Sequence, residues 1–323
     1  MNDYSVSARD LSKKFGHGHH AVQAVDGVSF DVKKGELFGL IGPDGAGKTT
    51  LFRLLTSLMV PDSGTAVIDG FDTVKDYRQI RQIIGYMPGR FSLYQDLSVE
   101  ENLKFFATLF GSTVAKSYES IKPIYRYLEP FKKRMAGKLS GGMKQKLALC
   151  CALVHSPKVL FLDEPTTGVD PVSRKEFWEM LGTLREQGIS IVASTPYMNE
   201  AVRCHRIAFV QNGKISECDT PENIRRKFPY AILAVKSRDA FTLLQDLRKF
   251  PEAHSCYSFG NYQHLYLKTA AHDGRGSGDS AARLQAYLEM KGHRDIRIQP
   301  MEASIEDCFM LRMSKEGGDY GDV

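Results

Sequence analysis

The amino-acid sequence predicts an α/β protein with a mostly parallel sheet, followed by a small α+β domain of ferredoxin-like order. In the first part of the chain, short apolar runs alternate with turn residues and helix-period segments. That alternation is typical of a parallel sheet with helices on both faces. After Pro229 the order of the segments becomes β-α-β-β-α-β, which is the ferredoxin-like order. The 323 residues and the 42% hydrophobic content suffice for two domains, which we expect at residues 1–228 and 229–323.

Apolar runs identify the candidate strands and helices of both domains. In the first domain we expect strands at 36–41, 85–87, 159–162, 189–194 and 207–210. In the second domain we expect strands at 231–235, 256–259, 264–267 and 296–298, and helices at 239–250 and 281–291. A polar stretch at 273–280 predicts a surface loop. A short amphipathic helix at 304–313 and a polar tail complete the chain.

Composition excludes several classes of function. No run approaches the roughly 20 apolar residues that a helix needs to cross a bilayer, so a membrane pore would belong to another chain. The N-terminus lacks a secretory pattern, and we expect a cytoplasmic protein. Six cysteines without a C-x-x-C pair give no structural metal site. A net charge of +5 is too small to predict nucleic-acid binding, and a weak basic bias suits the inner face of a cell membrane.

A glycine-rich segment lies between the apolar strand that ends at Ile41 and a helix-like segment at 50–57. It fits the pattern G-x-x-x-x-G-K-[ST], whose backbone N–H groups and helix N-terminus bind phosphate. The lysine reaches the β- and γ-phosphates and the next hydroxyl can bind Mg²⁺. The predicted phosphate-binding residues are Gly42, Pro43, Asp44, Gly45, Ala46, Gly47, Lys48, Thr49 and Thr50.

Two further patterns carry chemistry. The apolar run at 159–162 ends in Asp163 and Glu164. We expect Asp163 to support Mg²⁺, together with Thr49, and Glu164 to act as the general base for hydrolysis. Ser140, Gly141 and Gly142 precede a helical run at 147–154, where a capping hydroxyl, glycine amides and the helix dipole offer a second anion site.

In this order, the segments GPDGAGKTT, LSGGMKQK and VLFLDEPTTGVD closely resemble the nucleotide-binding domain of ABC transporters. The resemblance covers residues 4–227. It implies a P-loop NTPase core with a helical subdomain at about 90–157, ATP and Mg²⁺ as cofactors, and two cassettes paired head to tail. Each ATP then lies between the phosphate loop of one cassette and the LSGG segment of the other. Ser140, Gly141 and Gly142 would therefore serve an ATP that is held by the partner cassette.

The resemblance assigns further positions. Phe15 lies where the family has a ring that stacks on adenine, although a buried aromatic at a strand end is the alternative. Asp170 matches the loop that links the two ATP sites. The stretch at 91–103 resembles the part of the helical subdomain that receives the coupling helix of a membrane permease. Together with the C-terminal domain, this stretch resembles the drug-export cassettes of two-cassette multidrug exporters, and implies an export subunit peripheral to the membrane.

Three positions depart from the family pattern. Gly89 replaces a glutamine that senses Mg²⁺ and water, Pro196 replaces a histidine that contacts the γ-phosphate, and Asp44 replaces an asparagine. We therefore expect this chain's own site to bind ATP but hydrolyse it slowly, while its LSGG segment completes a competent site on a second cassette. The alternative is a catalytic homodimer in which neighbouring groups replace the missing ones. His205 lies where relatives have an aspartate, which suggests a surface substitution.

Two competing functions remain open from the sequence alone. One is an ABC ATPase that acts on the ribosome or on DNA, but such proteins carry two cassettes or coiled-coil insertions, and this chain has one cassette and no heptads. The other is a regulatory cassette that binds ATP and hydrolyses little of it.

Overall fold

The computed structural model describes residues 3–270 and 276–315. The chain separates into two compact units, Met1–Pro221 and Glu222–Val323. The strands are β1 Tyr4–Phe15, β2 Val22–Lys33, β3 Leu37–Ile41, β4 Ser63–Ile68, β5 Phe71–Asp72, β6 Ile84–Met87, β7 Val159–Asp163, β8 Ser190–Thr195, β9 Arg206–Gln211, β10 Lys214–Asp219, β11 Tyr230–Lys236, β12 Ala253–Phe259, β13 Tyr262–Ala270 and β14 Arg297–Met301. The domain border that we expect at residue 228 stays a prediction.

The α-helices are α1 Lys48–Leu55, α2 Tyr77–Ile83, α3 Val99–Leu109, α4 Val114–Tyr125, α5 Gly141–Leu153, α6 Pro171–Glu186, α7 Pro221–Arg226, α8 Ala240–Arg248, α9 Gly276–Met290 and α10 Ile305–Lys315. Short 3₁₀ helices span Gly18–His20, Glu129–Phe131, Ala136–Lys138 and Met198–Arg203. None of the helices in the two described segments is long and apolar enough to cross a bilayer.

The first unit contains the predicted parallel sheet. Its strand order is β10-β9-β3-β8-β7-β6; the five strands from β9 to β6 are parallel and β10 is antiparallel. Strands β3, β7 and β8 are buried along their whole length, as expected for strands covered on both faces. The predicted mixed α/β class is confirmed.

A second, antiparallel sheet in this unit was not predicted from the sequence. Its order is β2-β1-β4-β5. Buried and exposed residues mix irregularly along β1 and β2, and the register between them shifts several times, so neither strand shows a clean period of two. The two sheets meet in one core, where the rings of Phe30 and Phe38 stack at 5.3 Å and Phe52 packs edge-on against Phe161.

The parallel register brings four strand ends to one edge of the sheet. Ile41 lies beside Thr195, Asp163 beside Ser194, and Met87 beside Leu162. The loops that follow β3, β6, β7 and β8 therefore leave the sheet together, which is where ligands bind in open parallel sheets.

The second unit has the predicted β-α-β-β-α-β order, from β11 to β14. Its antiparallel sheet has the order β12-β13-β11-β14, and the core includes Leu233, Leu265 and Leu284. The predicted loop at 273–280 is partly wrong, because α9 begins at Gly276. An acidic residue in the first turn, Asp279, favours a helix start in a stretch whose glycines suggested a loop. Residues 273–275 lie outside the described residues.

Candidate functional site

The glycine-rich segment forms the turn between β3 and α1. Gly47 has a φ of 103°, and a side chain there would lie 2.2 Å from the carbonyl oxygen of Ala24, so only glycine fits. Gly42 N–H faces the carbonyl oxygen of Thr195 at 3.4 Å. The loop is therefore fixed between β2 and β8, and the helix N-terminus that follows has free N–H groups for an anion.

Lys48 connects this loop with the end of β7. Its side chain is only 3% exposed. The ammonium donates hydrogen bonds to the carbonyl oxygens of Gly42 and Pro43, both at 2.8 Å, and lies 3.2 Å from Glu164 Oε1. The residues predicted to bind phosphate and to activate water are thus in direct contact.

Asp163 and Glu164 are held by a serine that the sequence analysis did not identify. Ser194, at the end of β8, is fully buried. Its hydroxyl donates to Asp163 Oδ1 at 2.8 Å and accepts from the Glu164 N–H at 3.0 Å. Glu164 has a φ of 49°, a left-handed conformation that costs a non-glycine residue about 1–3 kcal/mol. Ser194 is therefore a positioning residue for the Asp163 carboxylate and for the main chain of Glu164.

Gly89 lies directly beside Asp163, the candidate Mg²⁺ ligand. A Cβ atom at this position would be 3.1 Å from the main-chain oxygen of Asp163 and 3.9 Å from its carboxyl carbon. Nearby on β6, burial, with a smaller contribution from Asp163, raises the pKa of Tyr86 to about 12. Tyr86 is therefore neutral and can act only as a neutral hydrogen-bonding group at physiological pH.

The turn that contains Pro196 is anchored by a buried glutamate. Glu200 is 2% exposed and accepts hydrogen bonds from Thr166 at 2.8 Å and from Thr195. Arg174 Nε lies 3.6 Å from the same carboxylate. The turn keeps a fixed shape next to the phosphate loop although no histidine is present.

The Ser140 segment faces solvent at the start of α5. Ser140 caps this helix by accepting a hydrogen bond from Met143 N–H at 3.3 Å, so the hydroxyl proton is still available for an acceptor outside the chain. Gly142 is buried against Ser173, which joins the segment to the start of α6. In the described residues, no hydrogen bond links the Ser140 hydroxyl to the phosphate loop of this chain.

Asp170 caps the next helix. It accepts from Ser173 N–H at 2.9 Å and from Val172 N–H at 3.1 Å. The hydrogen bonds from Ser173 lower the pKa of Asp170, which keeps the carboxylate charged. The Asp170 loop and the Ser140 segment therefore form one exposed surface around the first turns of α5 and α6.

Phe15 ends β1 with 41% of its surface exposed, which argues against a buried strand-end aromatic. Phe15 pairs with Val22 on β2. Ala24 lies two residues further along β2, and its carbonyl oxygen is next to Gly47 of the phosphate loop. An exposed ring at this distance along β2 can lie over a nucleobase whose phosphates bind the loop.

The donor set fits a nucleotide with a divalent cation. The loop offers N–H groups and a buried ammonium, while the exposed Thr49 hydroxyl and the Asp163 carboxylate supply the hard oxygen ligands that Mg²⁺ prefers. In residues 3–270 and 276–315 no cluster of three or more His, Cys, Asp or Glu side chains could hold a metal alone. Thr49 and Asp163 are therefore the residues that would hold the cation, together with oxygens from the nucleotide or from water.

Comparisons with known proteins agree with this geometry. A family model described as "ABC transporter" matches residues 25–167. The Nod factor export ATP-binding protein I of Burkholderia lata is 35% identical over 318 residues, covering 97% of this chain and 98% of that protein. A probable multidrug ABC transporter ATP-binding protein of Escherichia coli K12, YbhF, is 42% identical over 222 residues, 68% of this chain. The chain spans only 38% of the length of YbhF.

Solved structures show the same fold. The structure of an ATP-binding subunit of an ABC transporter is 31% identical with a TM-score of 0.61, and covers 69% of this chain and 92% of its own. A dimeric ATP-binding cassette in a post-hydrolysis state, bound to ADP and Pi, is 25% identical with a TM-score of 0.60, and covers 67% of this chain and 98% of its own.

Proposed function

We propose a function for this chain from the premise that it belongs to the ABC transporter family. It is an ABC-type ATPase subunit, and we propose that it couples the binding and hydrolysis of MgATP to export through a separate membrane permease. The observation that carries the proposal is the 3.2 Å contact between Lys48 Nζ and Glu164 Oε1, which joins the phosphate loop to the candidate base.

In this function each residue has a definite task. The loop amides and Lys48 bind the β- and γ-phosphates. Thr49 and Asp163 would hold Mg²⁺, which supplies positive charge to the phosphate oxygens. Glu164, fixed by Ser194, orients and deprotonates the attacking water. Phe15 stacks on adenine.

The exposed surface around Ser140 and Asp170 supports a second cassette as partner. Ser140, Gly141 and Gly142 would contact the ATP of that cassette, because Ser140 and Gly141 are exposed to solvent and the Ser140 hydroxyl bonds within its own helix and not to this chain's phosphate loop. Gly89 and Pro196 lack the polar groups that would sense Mg²⁺ and contact the γ-phosphate. We therefore propose an unequal pair, in which this chain's own site hydrolyses slowly. Contacts of this kind are each worth about 10²–10³ in rate.

A permease partner is supported by an apolar cavity beside α3 and α5. The cavity has a volume of about 500 Å³ and is lined by side chains that include Phe91, Phe106 and Leu109. A short helix of the permease would fill this cavity, and the location that goes with this proposal is the cytoplasm, on the inner face of the cell membrane. Nod factor and multidrug export are the roles that the relatives' names state, and export is the proposal for this chain.

The test separates ATP binding, hydrolysis and pairing. The purified chain should bind MgATP tightly, hydrolyse it slowly, and run as a monomer in gel filtration with ATP, even when Glu164→Gln blocks hydrolysis. Addition of a second cassette with glutamine and histidine at the altered positions should produce a dimer and fast hydrolysis that Ser140→Ala abolishes. Fast hydrolysis by the chain alone, abolished by Glu164→Gln, would overturn the unequal pair and favour the homodimer.

A regulatory cassette is the second candidate, and the same two residues, Gly89 and Pro196, favour it. It predicts that no second cassette accelerates hydrolysis, although MgATP still binds. A ribosome- or DNA-directed ATPase predicts that ribosomes or duplex DNA stimulate hydrolysis, and a permease in vesicles does not.

A further inference from the structure

A small basic cavity lies at the amino end of β3, at the edge of the sheet opposite to the phosphate loop. Its volume is about 330 Å³, and Arg185, Arg203 and His205 line it together with Trp178. Gly182, near the carboxyl end of α6, forms part of the wall, and a Cβ atom there would meet nothing within 4 Å. The cavity is thus open to solvent beside three basic side chains.

The hydrogen bonds of His205 are in conflict. Its Nδ1 faces the N–H of Leu37 at 3.2 Å, and its Nε2 faces Arg185 Nη1 at 2.5 Å. Both neighbours are donors, and arginine does not lose its proton in proteins. Since a neutral imidazole carries a proton on one ring nitrogen and a charged one on both, at least one N–H of His205 points at another donor.

The surrounding acidic groups do not resolve this conflict. The carboxylate near Arg185 is that of Glu186, 3.4 Å from Nη2 and 69% exposed. The Arg203 guanidinium forms no hydrogen bond or ion pair with any residue of the described segments. The indole nitrogen of Trp178 is buried and, within the same segments, has no hydrogen-bond partner. Two guanidinium groups and an imidazole therefore line one cavity, and among the described residues the exposed carboxylate of Glu186 is the acidic group that pairs with one of them.

We propose that this cavity binds a phosphate-type oxyanion, independently of the nucleotide site. An oxyanion between Arg185 and His205 accepts from the guanidinium and from the Nε2–H, so that Nδ1 is free to accept from Leu37 N–H. Arg203 supplies a further charge-assisted donor. A phosphate group suits three donors from separate elements better than a carboxylate does, because it has more acceptor oxygens and a higher charge.

Trp178 is the only tryptophan of the chain, and it therefore reports this cavity directly. Inorganic phosphate is titrated at constant ionic strength, in a Lys48→Ala background that removes the contribution of the phosphate loop. The readouts are the single indole ¹H–¹⁵N resonance and the tryptophan fluorescence. We expect a saturable change in both, and Arg203→Gln should weaken the apparent affinity about tenfold, as for the loss of a hydrogen bond to a charged group. Arg238→Gln, the same substitution at an exposed arginine of the second unit, should have no effect.

His205→Asp is the complementary variant. Its carboxylate would accept from Leu37 N–H and pair with Arg185, so we expect a higher Tm in phosphate-free buffer and no saturable change with phosphate. Glycerol 3-phosphate serves as a second probe: tighter binding of this ester identifies a phosphate group carried by a larger molecule, and tighter binding of inorganic phosphate identifies the free anion. The proposal is overturned by the absence of saturation, by equal affinity for acetate, or by an Arg203→Gln variant that binds like the parent.

Discussion

The Ser194→Ala substitution tests how the acidic strand end is positioned. The serine hydroxyl is fully buried and bridges Asp163 Oδ1 at 2.8 Å and Glu164 N–H at 3.0 Å. The variant removes one hydrogen bond to a carboxylate, worth about 1.5–3 kcal/mol, and leaves a main-chain donor without its acceptor. Because Glu164 N–H is only partly buried, water can replace that partner. We therefore expect a loss of about 2 kcal/mol in the free energy of unfolding.

The functional consequence distinguishes a positioning role from a structural one. Without Ser194 the Asp163 carboxylate loses the hydrogen bond that fixes its orientation, so the affinity for MgATP should fall about tenfold, which corresponds to 1.4 kcal/mol, while the affinity for ATP without Mg²⁺ stays unchanged. Calorimetric titration gives the ratio of the ATP affinities with and without Mg²⁺, and electron paramagnetic resonance follows the binding of Mn²⁺ as a second readout. Ser194→Thr keeps the hydroxyl and should restore the parent's ratio of affinities.

Ser190→Ala is the matched control for this experiment. Ser190 is also buried on β8, but at the other end of the strand, where it accepts a hydrogen bond from Gly35 N–H at 3.0 Å. It should lower stability without changing the Mg²⁺ dependence. If Ser194→Ala behaves as Ser190→Ala does, with a loss of stability and an unchanged ratio of affinities, the positioning role is refuted.

Three further predictions concern other parts of the chain. Lys48→Ala should lower the ATP affinity by at least about tenfold in calorimetric titration, with Lys133→Gln as a surface control; equal affinities would contradict the phosphate-loop assignment. Ser140→Ala should cost up to about 1 kcal/mol of stability through the lost cap and leave this chain's own ATP affinity unchanged, so a drop in that affinity would contradict the partner-facing role. In the second unit, hydrogen bonds from His264 and Ser304 outweigh the effect of burial and lower the pKa of Asp307. The contribution of the charged Asp307 to stability is therefore present above about pH 4 and is lost as the pH falls further. The Tm difference between the parent and Asp307→Asn, measured by calorimetry, should shrink between pH 6 and pH 3. A Tm difference that stays constant over this range would contradict the prediction.

The strands of the parallel sheet could be predicted from sequence because continuous burial leaves an apolar run at each of them. The motif residues at strand ends could be predicted for the same reason, since glycines and carboxylates directly after an apolar run have a specific chemical meaning. Ser194 could not, because its role depends on β8 lying beside β7, a neighbour relation that the order of segments does not contain. The buried glutamate Glu200 was missed in the same way, since its partner Thr166 lies on a different loop.

The surroundings of Gly89 and Pro196 bear on whether these two departures from the family pattern arose by random change. A glutamine at position 89 would bring its Cβ atom to 3.1 Å from the Asp163 carbonyl oxygen, a close contact at the end of a strand that pairs with β6 up to Leu162 and with β8 up to Asp163. The turn at Pro196 is likewise held by Glu200, through groups that do not involve a histidine. Each departure is therefore accommodated by its own surroundings, while Ser140 and Asp170 keep their positions as the capping residues of α5 and α6. This division supports a chain adapted to complete another cassette's site more than one that lost its own by random change.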